Sequence, residues 1–181
     1  MKGYADYYTA EKTMVFTLIG MPGSGKSCMS RALSNKIEIK TVDSDRLIEE
    51  RIGKKLCEII AEDGNEAFKK IEEDTLMSIE DADLLLATGG SAIYSDKAML
   101  HLKNVGKLIY LYVSFDTMIK RIGDYKSRGI VMRADQTIKD LYDERTALYE
   151  KYADYTVNCD GTDYPKYRKN LLDIIQKEMN L

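Results

Sequence analysis

The sequence is poor in several residue types on which common kinds of site depend. It contains no tryptophan, one histidine, two prolines and three cysteines among 181 residues. The cysteines, Cys28, Cys57 and Cys159, are odd in number and widely separated, which argues against a disulfide framework or a zinc site. Because the single histidine, His101, falls in a predicted surface helix, catalysis that depends on histidine is not expected.

Long apolar runs and a strong net charge are also lacking. No apolar run approaches the ~20 residues that span a bilayer, and residues 1–13 do not resemble a signal peptide. The net charge is −3 and the pI is about 5.4, so the overall charge of the protein does not favour binding to nucleic acid. We therefore expect a cytoplasmic protein with reduced cysteines, with no nucleic-acid or membrane partner, that holds any anionic substrate through local arginine and lysine side chains.

Apolar runs that favour β-strands alternate with amphipathic helical patterns along the chain. The predicted strands are Val15–Ile19 and residues 37–42, 84–88, 108–113 and 155–157. This alternation is typical of βαβ units in a parallel sheet, and the strand runs lack polar alternation, as expected when helices cover both faces. The sequence thus predicts a three-layer α/β domain over residues 14–181, preceded by an extension over residues 1–13. Segments that follow strands should meet at one edge of the sheet.

The most informative motif directly follows the first predicted strand. Residues 20–27 read GMPGSGKS, a complete GxxxxGKS phosphate-binding loop whose glycines are Gly20, Gly23 and Gly25. Glycines at these positions let successive N–H groups turn toward an anion, and a helix that begins near the third glycine adds its dipole. A chance glycine-rich turn is the alternative, but it would lack the flanking strand and helix.

The last two residues of this motif supply side-chain chemistry. Lys26 can reach the β- and γ-phosphates of a nucleotide, and the Ser27 hydroxyl can ligate Mg²⁺. The sequence therefore predicts that the chain binds ATP and Mg²⁺.

Two more polar segments follow predicted strands. Asp43 and Asp45 come after the second strand, where one could hold Mg²⁺ through water and the other could accept a hydrogen bond from a substrate hydroxyl. Alternatively, Asp43 or Ser44 caps the predicted helix over residues 46–52, a role that is compatible with function. Residues 88–91, TGGS, follow the third strand and predict a turn that offers backbone N–H groups to a ligand, or a turn without a ligand.

The region around residues 123–135 carries positive charge. These residues, GDYKSRGIVMRAD, predict a lid or binding loop, with a solvated connection as the alternative. Arginine near a transferring phosphoryl group stabilises the transition state, and the nearby arginines are Arg121, Arg128, Arg133 and Arg145. Earlier in the chain, Lys69 and Glu72 stand three residues apart on a predicted helix, a spacing that by itself indicates a solvated ion pair.

The order and spacing of four segments resemble the shikimate kinase family from about residue 15 to the C-terminus. The segments are GMPGSGKS, DSDRLIEERIGKKLCEIIAEDGNEAFKKIEED, LLLATGGSAI and ERTALYEKYAD. The resemblance implies a P-loop kinase fold with a five-stranded parallel sheet of order 2-3-1-4-5 and a mobile lid. It also implies transfer of the γ-phosphate of MgATP to the 3-hydroxyl of shikimate, by a monomer or weak homodimer.

The same resemblance implies roles for individual residues. Asp45 would contact the substrate hydroxyl and serve as base, and Asp43 would lie near Mg²⁺ with Ser27. Lys26, Asp45 and Arg128, the last from the lid, would be the catalytic residues. The acceptor, bound mainly by residues 44–80, would contact Asp45, Lys69, Gly89, Gly90 and Arg145. The nucleotide would contact Gly20, Gly23, Ser24, Gly25, Lys26, Ser27, Cys28, Arg121 and Asn158.

Three positions depart from the family pattern, all on the acceptor or lid side. Lys69 replaces an arginine, Ser91 replaces the third glycine of Gly-Gly-Gly, and residues 128–131 read RGIV in place of Arg-Pro-Leu-Leu. Lysine keeps the positive charge but loses the planar fork that binds a carboxylate through two parallel bonds. Two alternatives therefore remain: a kinase of the same fold for another hydroxylated acid, sugar acid or nucleotide, and a catalytically inactive nucleotide-binding module.

Overall fold

A computed structural model describes residues 13–34, 36–37, 39–80, 82–123, 130–133 and 135–180. Nearly all of the predicted N-terminal extension therefore lies outside the described residues. The same holds for Arg128, Gly129 and most of the predicted lid.

A five-stranded parallel sheet forms the centre of the fold. Its order is β2-β3-β1-β4-β5, and every neighbouring pair is parallel, which confirms the order 2-3-1-4-5. The strands β1 and β3 are buried along their whole length. The strands are β1 (Val15–Ile19), β2 (Lys40–Asp43), β3 (Leu84–Ala87), β4 (Gly106–Tyr112) and β5 (Tyr155–Asn158).

Helices pack around this sheet. They are α1 (Lys26–Ser34), α2 (Ser44–Ile52), α3 (Leu56–Met77), α4 (Asp96–Val105), α5 (Phe115–Ile122), α6 (Ile138–Tyr152) and α7 (Tyr164–Met179), with a short 3₁₀ helix over Ala92–Tyr94. Helix α1 contacts α7, and α4 contacts α3. A kink at Gly64, where φ is 83°, interrupts α3. In the described part of the chain, no helix combines the length and apolar character that crossing a membrane requires.

Two strands begin at a different residue from the sequence prediction, and four strand ends differ by one residue. The strand β2 begins at Lys40 rather than at Ile37, because the Ile37 N–H still donates to the Leu33 carbonyl, at 3.1 Å, at the end of α1. The strand β4 begins two residues early, at Gly106, which pairs with Val15. A side chain on Gly106 would overlap the backbone of Val15, so glycine permits this pairing.

The carboxyl ends of β1, β2 and β3 bring three polar segments together. The phosphate loop follows β1, Asp43 ends β2, and the turn that begins at Thr88 follows β3. The N–H and the hydroxyl of Thr88 both donate to the Leu18 carbonyl, at 3.2 and 3.1 Å, which fixes this turn beside β1. A small apolar cluster of Ile48, Ile59, Phe68 and Val131 joins α2, α3 and the described part of the predicted lid.

Candidate active site

A cavity of about 550 Å³ lies at this edge of the sheet. One side is formed by the phosphate loop and the start of α1, including Lys26 and Ser27. The other side carries side chains from separate elements, among them Asp45, Glu72 and Arg145. Lys26 and Ser27 of the phosphate loop thus share one space with four of the predicted acceptor residues, Asp45, Gly89, Gly90 and Arg145.

The phosphate loop has a backbone that suits an anion. Gly20, Gly23 and Gly25 have φ angles of 144°, 80° and 103°, in the left-handed region that favours glycine. A Cβ on Gly20 would lie 2.7 Å from the Leu111 carbonyl oxygen. The hydroxyl of Ser24 is buried without a partner among the described residues, and α1 begins at Lys26 with its amino end at the loop. This cradle of backbone amides fits the phosphates of a nucleotide.

Lys26 is folded back onto its own loop. Its Nζ donates to the carbonyls of Gly20, at 2.7 Å, and Met21, at 3.0 Å. Burial lowers the pKa of Lys26 to about 8, and the neighbouring Asp45 carboxylate opposes this shift. Two backbone carbonyls of its own loop thus hold the Lys26 ammonium group in this arrangement.

Ser27 and Asp43 form a direct contact between the phosphate loop and β2. The Ser27 hydroxyl donates to Asp43 Oδ2 at 2.6 Å. Asp43 Oδ1 accepts the N–H groups of Asp45, at 3.1 Å, and Arg46, at 3.3 Å, so Asp43 also caps α2. A hydroxyl and a carboxylate are oxygen ligands of the kind Mg²⁺ takes beside phosphates, so these residues fit that ion.

Asp45 and Glu72, which both line the cavity, each bury one carboxyl oxygen beside Gly89. Asp45 Oδ1 and Glu72 Oε1 are buried without a hydrogen-bond partner among the described residues. A Cβ on Gly89 would overlap both of them, so the two oxygens face each other across this glycine. Burial, then the nearby Asp43 carboxylate, raises the pKa of Asp45 to about 6, against the effect of Lys26. A carboxylate of this pKa can accept a proton near neutral pH.

Glu72 is held by Ser91, the serine that replaces a glycine of the family pattern. Glu72 is only 2% exposed, and the Ser91 hydroxyl donates to its Oε2. Burial raises the pKa of Glu72 to about 7, the Ser91 hydrogen bond opposes the shift, and the Asp45 charge adds to it.

Arg145 is the buried cation of the acceptor side. It is 1% exposed, and its Nη2 donates to the Val131 carbonyl at 2.6 Å. Its Nη1 would lie 2.8 Å from a Cβ on Gly90, so a side chain there would displace the guanidinium. The Gly90 carbonyl accepts from the Tyr149 hydroxyl at 2.8 Å, and the Gly89 N–H donates to Ser44 Oγ at 3.1 Å.

Lys69, predicted to bind the acceptor, does not line this cavity. Its Nζ pairs with Glu66 Oε1 at 2.7 Å and lies 5.5 Å from the centre of the Tyr94 ring. It lines a smaller outer pocket of about 220 Å³, and Glu72 and Ser91 stand between the two spaces. The expected solvated ion pair of Lys69 with Glu72 is wrong, because Glu72 is buried and Lys69 turns to Glu66.

Of the predicted nucleotide contacts outside the loop motif, Arg121 and Cys28 line the cavity and Asn158 does not. Arg121 lines the cavity and donates to the carbonyls of Gly23, Cys159 and Gly161, at 3.3, 2.8 and 2.7 Å. Cys28 is exposed and also lines the cavity. Asn158 does not line it as the described residues form it, and its side chain accepts the Asp160 N–H at 2.9 Å.

Sequence reasoning missed the part that Glu72 plays in the cavity. One signal was available, because Glu72 follows Phe68 by four residues and precedes Leu76 by four. Both of these residues are buried in α3, so a continuous apolar face runs through position 72. An acid on such a face is buried rather than solvated.

A parallel sheet of this order, a GxxxxGKS loop and an acid across the cavity from its lysine define a P-loop kinase that acts on a small molecule. Comparisons with known proteins give the family. The family model for shikimate kinase matches residues 22–176. The chain therefore belongs to the shikimate kinase family, whose members use ATP and Mg²⁺.

Individual relatives agree with this assignment. A shikimate kinase of Vibrio parahaemolyticus is 34% identical over 83% of this chain and 89% of its own length. One from Vibrio cholerae is 32% identical over 94% of this chain and 99% of its own length. A solved structure of the shikimate kinase from Acinetobacter baumannii in complex with shikimate matches with a TM-score of 0.78 and 28% identity, over 94% of this chain and 95% of that one.

Proposed function

We propose that this protein transfers the γ-phosphate of ATP to the 3-hydroxyl of shikimate and releases ADP and shikimate 3-phosphate. The observation that carries the proposal is that Lys26, Asp45 and Arg145 line one cavity although they come from three distant segments. The likeness to a shikimate kinase solved with shikimate supports the identity of the acceptor.

On the donor side, the loop amides and Lys26 bind the phosphates of ATP. Ser27 and Asp43 would hold Mg²⁺, which when bound neutralises charge on the β- and γ-phosphates. From the family resemblance we also propose that residues 123–135 serve as a lid and that Arg128 contributes charge to the donor site; Arg128 itself lies outside the described residues. The described lid residues support this assignment, because Val131 packs against Ile48, Ile59 and Phe68 beside the cavity.

On the acceptor side, Arg145 binds the carboxylate of shikimate, and the turn at Gly89 and Gly90 leaves room for the ring. Asp45 Oδ1 accepts a hydrogen bond from the 3-hydroxyl of shikimate. Asp45 takes the hydroxyl proton while the 3-oxygen of shikimate attacks the γ-phosphorus. A bond forms between the 3-oxygen and phosphorus, and the bond from phosphorus to the bridging oxygen of ADP breaks. Catalysis is then mainly positioning and electrostatic stabilisation.

The direct test measures ADP release with and without shikimate and identifies the product by mass spectrometry. We expect ADP to form in proportion to shikimate 3-phosphate. Asp45→Asn should lower kcat by about 10²- to 10⁴-fold with nucleotide affinity retained, since the amide cannot accept the proton. Asp143→Asn, on the exposed side of α6, is the matched control. ADP release that does not depend on shikimate, or full turnover by Asp45→Asn, would contradict the proposal.

A second candidate is a kinase of the same fold for another hydroxylated acid. The position of Lys69 outside the cavity favours it, because one fewer cation then faces the acceptor carboxylate. A panel of hydroxylated acids, sugar acids and nucleosides in the same assay separates the two. Shikimate should give the highest kcat/KM of the panel.

We further propose that residues 14–181 form one catalytic domain in the cytoplasm, as a monomer or weak homodimer. Free thiols at Cys28, Cys57 and Cys159 support a reducing compartment. Light scattering after size-exclusion chromatography measures the oligomeric state.

A further inference from the structure

Arg145 carries a buried positive charge that no acidic side chain of the described ranges neutralises. It is 1% exposed, and no carboxylate oxygen in these ranges lies within 4.0 Å of its guanidinium nitrogens. Its Nη2 donates to a neutral backbone oxygen, the Val131 carbonyl, at 2.6 Å. A charge removed from water is costly unless it is paired, so such a cation in a cavity wall is suited to bind an anionic group of a ligand.

Tyr94, which lines the outer pocket, contacts this guanidinium. Its hydroxyl accepts from Arg145 Nε at 3.3 Å, and its ring centre lies 5.2 Å from Arg145 Cζ. A cation within about 6 Å of a tyrosine ring is attracted by the negative face of the ring. Burial raises the pKa of Tyr94, against the effect of the Arg145 charge, so the side chain stays neutral at physiological pH. Tyr94 therefore attracts the cation without neutralising it.

The contacts of Arg145 determine which of its nitrogens lies beside the glycine turn. Nε is bound to Tyr94 and Nη2 to Val131. Because the guanidinium is planar and rigid, these two contacts also fix the third nitrogen, Nη1. Nη1 would lie 2.8 Å from a Cβ on Gly90, and both Gly90 and Arg145 line the main cavity.

The backbone of the glycine turn sets the position of Tyr94. The short 3₁₀ helix over Ala92–Tyr94 follows the turn directly, and the Tyr94 N–H donates to the Ser91 carbonyl at 3.0 Å. The same ring also attracts Lys69, whose Nζ lies 5.5 Å from the ring centre and pairs with Glu66. One aromatic side chain thus contacts both cations that the sequence assigned to the acceptor.

We propose that Tyr94 is a positioning residue that holds the Arg145 guanidinium in the orientation that binds the acceptor carboxylate. The inference rests on the proposed function. A neutral aromatic side chain suits this role, because an acid in its place would neutralise Arg145 and compete with the acceptor. Tyr94 would act on the acceptor only through Arg145, so its removal should matter only for acceptors that carry the negative charge.

The test compares shikimate with its methyl ester, which keeps the hydroxyl groups but lacks the negative charge. Tyr94→Leu removes the ring and the hydroxyl, and should lower kcat/KM for shikimate about tenfold through KM, with kcat unchanged. For the methyl ester, kcat/KM should change by less than about twofold, because the ester has no carboxylate to pair with Arg145. Tyr94→Phe keeps the ring and should lower kcat/KM for shikimate only about threefold.

A double variant asks whether Tyr94 acts through Arg145. In the Arg145→Ala background, Tyr94→Leu should lower kcat/KM for shikimate by less than about twofold further, since the side chain that it positions is already gone. A full tenfold loss in this background would overturn the inference.

Tyr155 provides the matched control. It is also a partly buried tyrosine with a lysine near its ring, since Lys177 Nζ lies 5.9 Å from the ring centre, and its hydroxyl donates to Glu178. It begins β5, at the edge of the sheet opposite the cavity. Tyr155→Leu should leave kcat/KM for both acceptors unchanged. The KM for ATP should stay constant in every single variant, and thermal unfolding checks that each one folds. Tyr94→Phe carries the test if Tyr94→Leu does not fold.

Two results with the single variants overturn the inference. An equal fall in kcat/KM for shikimate and its methyl ester would mean that Tyr94 only supports the shape of the cavity. An unchanged value for shikimate would mean that Arg145 keeps its orientation without Tyr94. A wild-type enzyme that does not phosphorylate shikimate would instead overturn the proposed function, so the two failures are distinguishable.

Discussion

The two halves of the cavity are built in different ways. The donor half is one continuous segment, residues 20–27, whose shape comes from backbone conformation at three glycines. The acceptor half is made of side chains from α2, α3, α6 and the turn after β3, namely Asp45, Glu72, Ser91 and Arg145. A substitution in a contiguous loop disturbs the backbone conformation of the whole loop. On a surface built from several elements, one side chain can be replaced while the others keep their positions. Ser91 belongs to the composite half and donates to Glu72, whereas Lys69 lies outside the cavity.

The largest expected effect tests whether the halves act separately. Lys26→Met should lower kcat by about 10²- to 10³-fold, because the lysine stabilises charge on the transferring phosphoryl group. Binding of shikimate alone, measured by calorimetry, should change by less than about threefold. Lys139→Met, at an exposed pair on α6, serves as control. A parallel loss of shikimate affinity would show that the two halves are coupled.

A smaller effect is expected within the acceptor half. Arg145→Lys should raise the KM for shikimate by about 10- to 100-fold, because the buried guanidinium loses its planar fork. Lys69→Ala should change it by less than about threefold, since Lys69 lies beyond Glu72 and Ser91. Steady-state kinetics with both substrates measures this, and the KM for ATP should not move. An equal rise for Lys69→Ala would show that Lys69 turns into the cavity, as the family pattern implies.

The last expected effect concerns stability and pH rather than kinetics. The pKa of Asp45 is raised in the fold from 3.8 to about 6, so its ionisation destabilises the folded protein as pH rises between these values. Asp45→Asn should therefore increase the free energy of unfolding at pH 8, by up to about 3 kcal/mol, and leave it nearly unchanged below pH 4. Urea unfolding followed by circular dichroism at both pH values measures it. An exposed acid such as Asp143, changed to asparagine, should give no comparable gain, and destabilisation of Asp45→Asn at pH 8 would contradict the prediction.

The donor half could be predicted from sequence because its geometry is local. A strand, glycines at fixed spacing and a following helix determine where the amides point, and the strand order followed from the family resemblance. Asp43 caps α2, as one alternative predicted, and accepts from Ser27, while its role at Mg²⁺ stays a prediction.

The acceptor half could be predicted only in part because it depends on which way each side chain turns. Helical spacing placed Lys69 and Glu72 on neighbouring positions, but a difference of three residues does not say which of them enters the core. Packing decided this: Glu72 faces inward with Phe68, and Lys69 finds Glu66 outside. The role of Arg128 remains a prediction, because that residue lies outside the described ranges.

Arg121 gives the phosphate loop a second support from late in the chain. Its guanidinium bridges the Gly23 carbonyl and the carbonyls of Cys159 and Gly161, which connect β5 to α7. The position of the loop thus depends on residues about 140 positions after it as well as on the strand that precedes it. A substitution that displaces the carbonyls of Cys159 or Gly161 would therefore shift Arg121 and, through it, the phosphate loop. Nucleotide affinity would then change although no residue of the phosphate loop is altered.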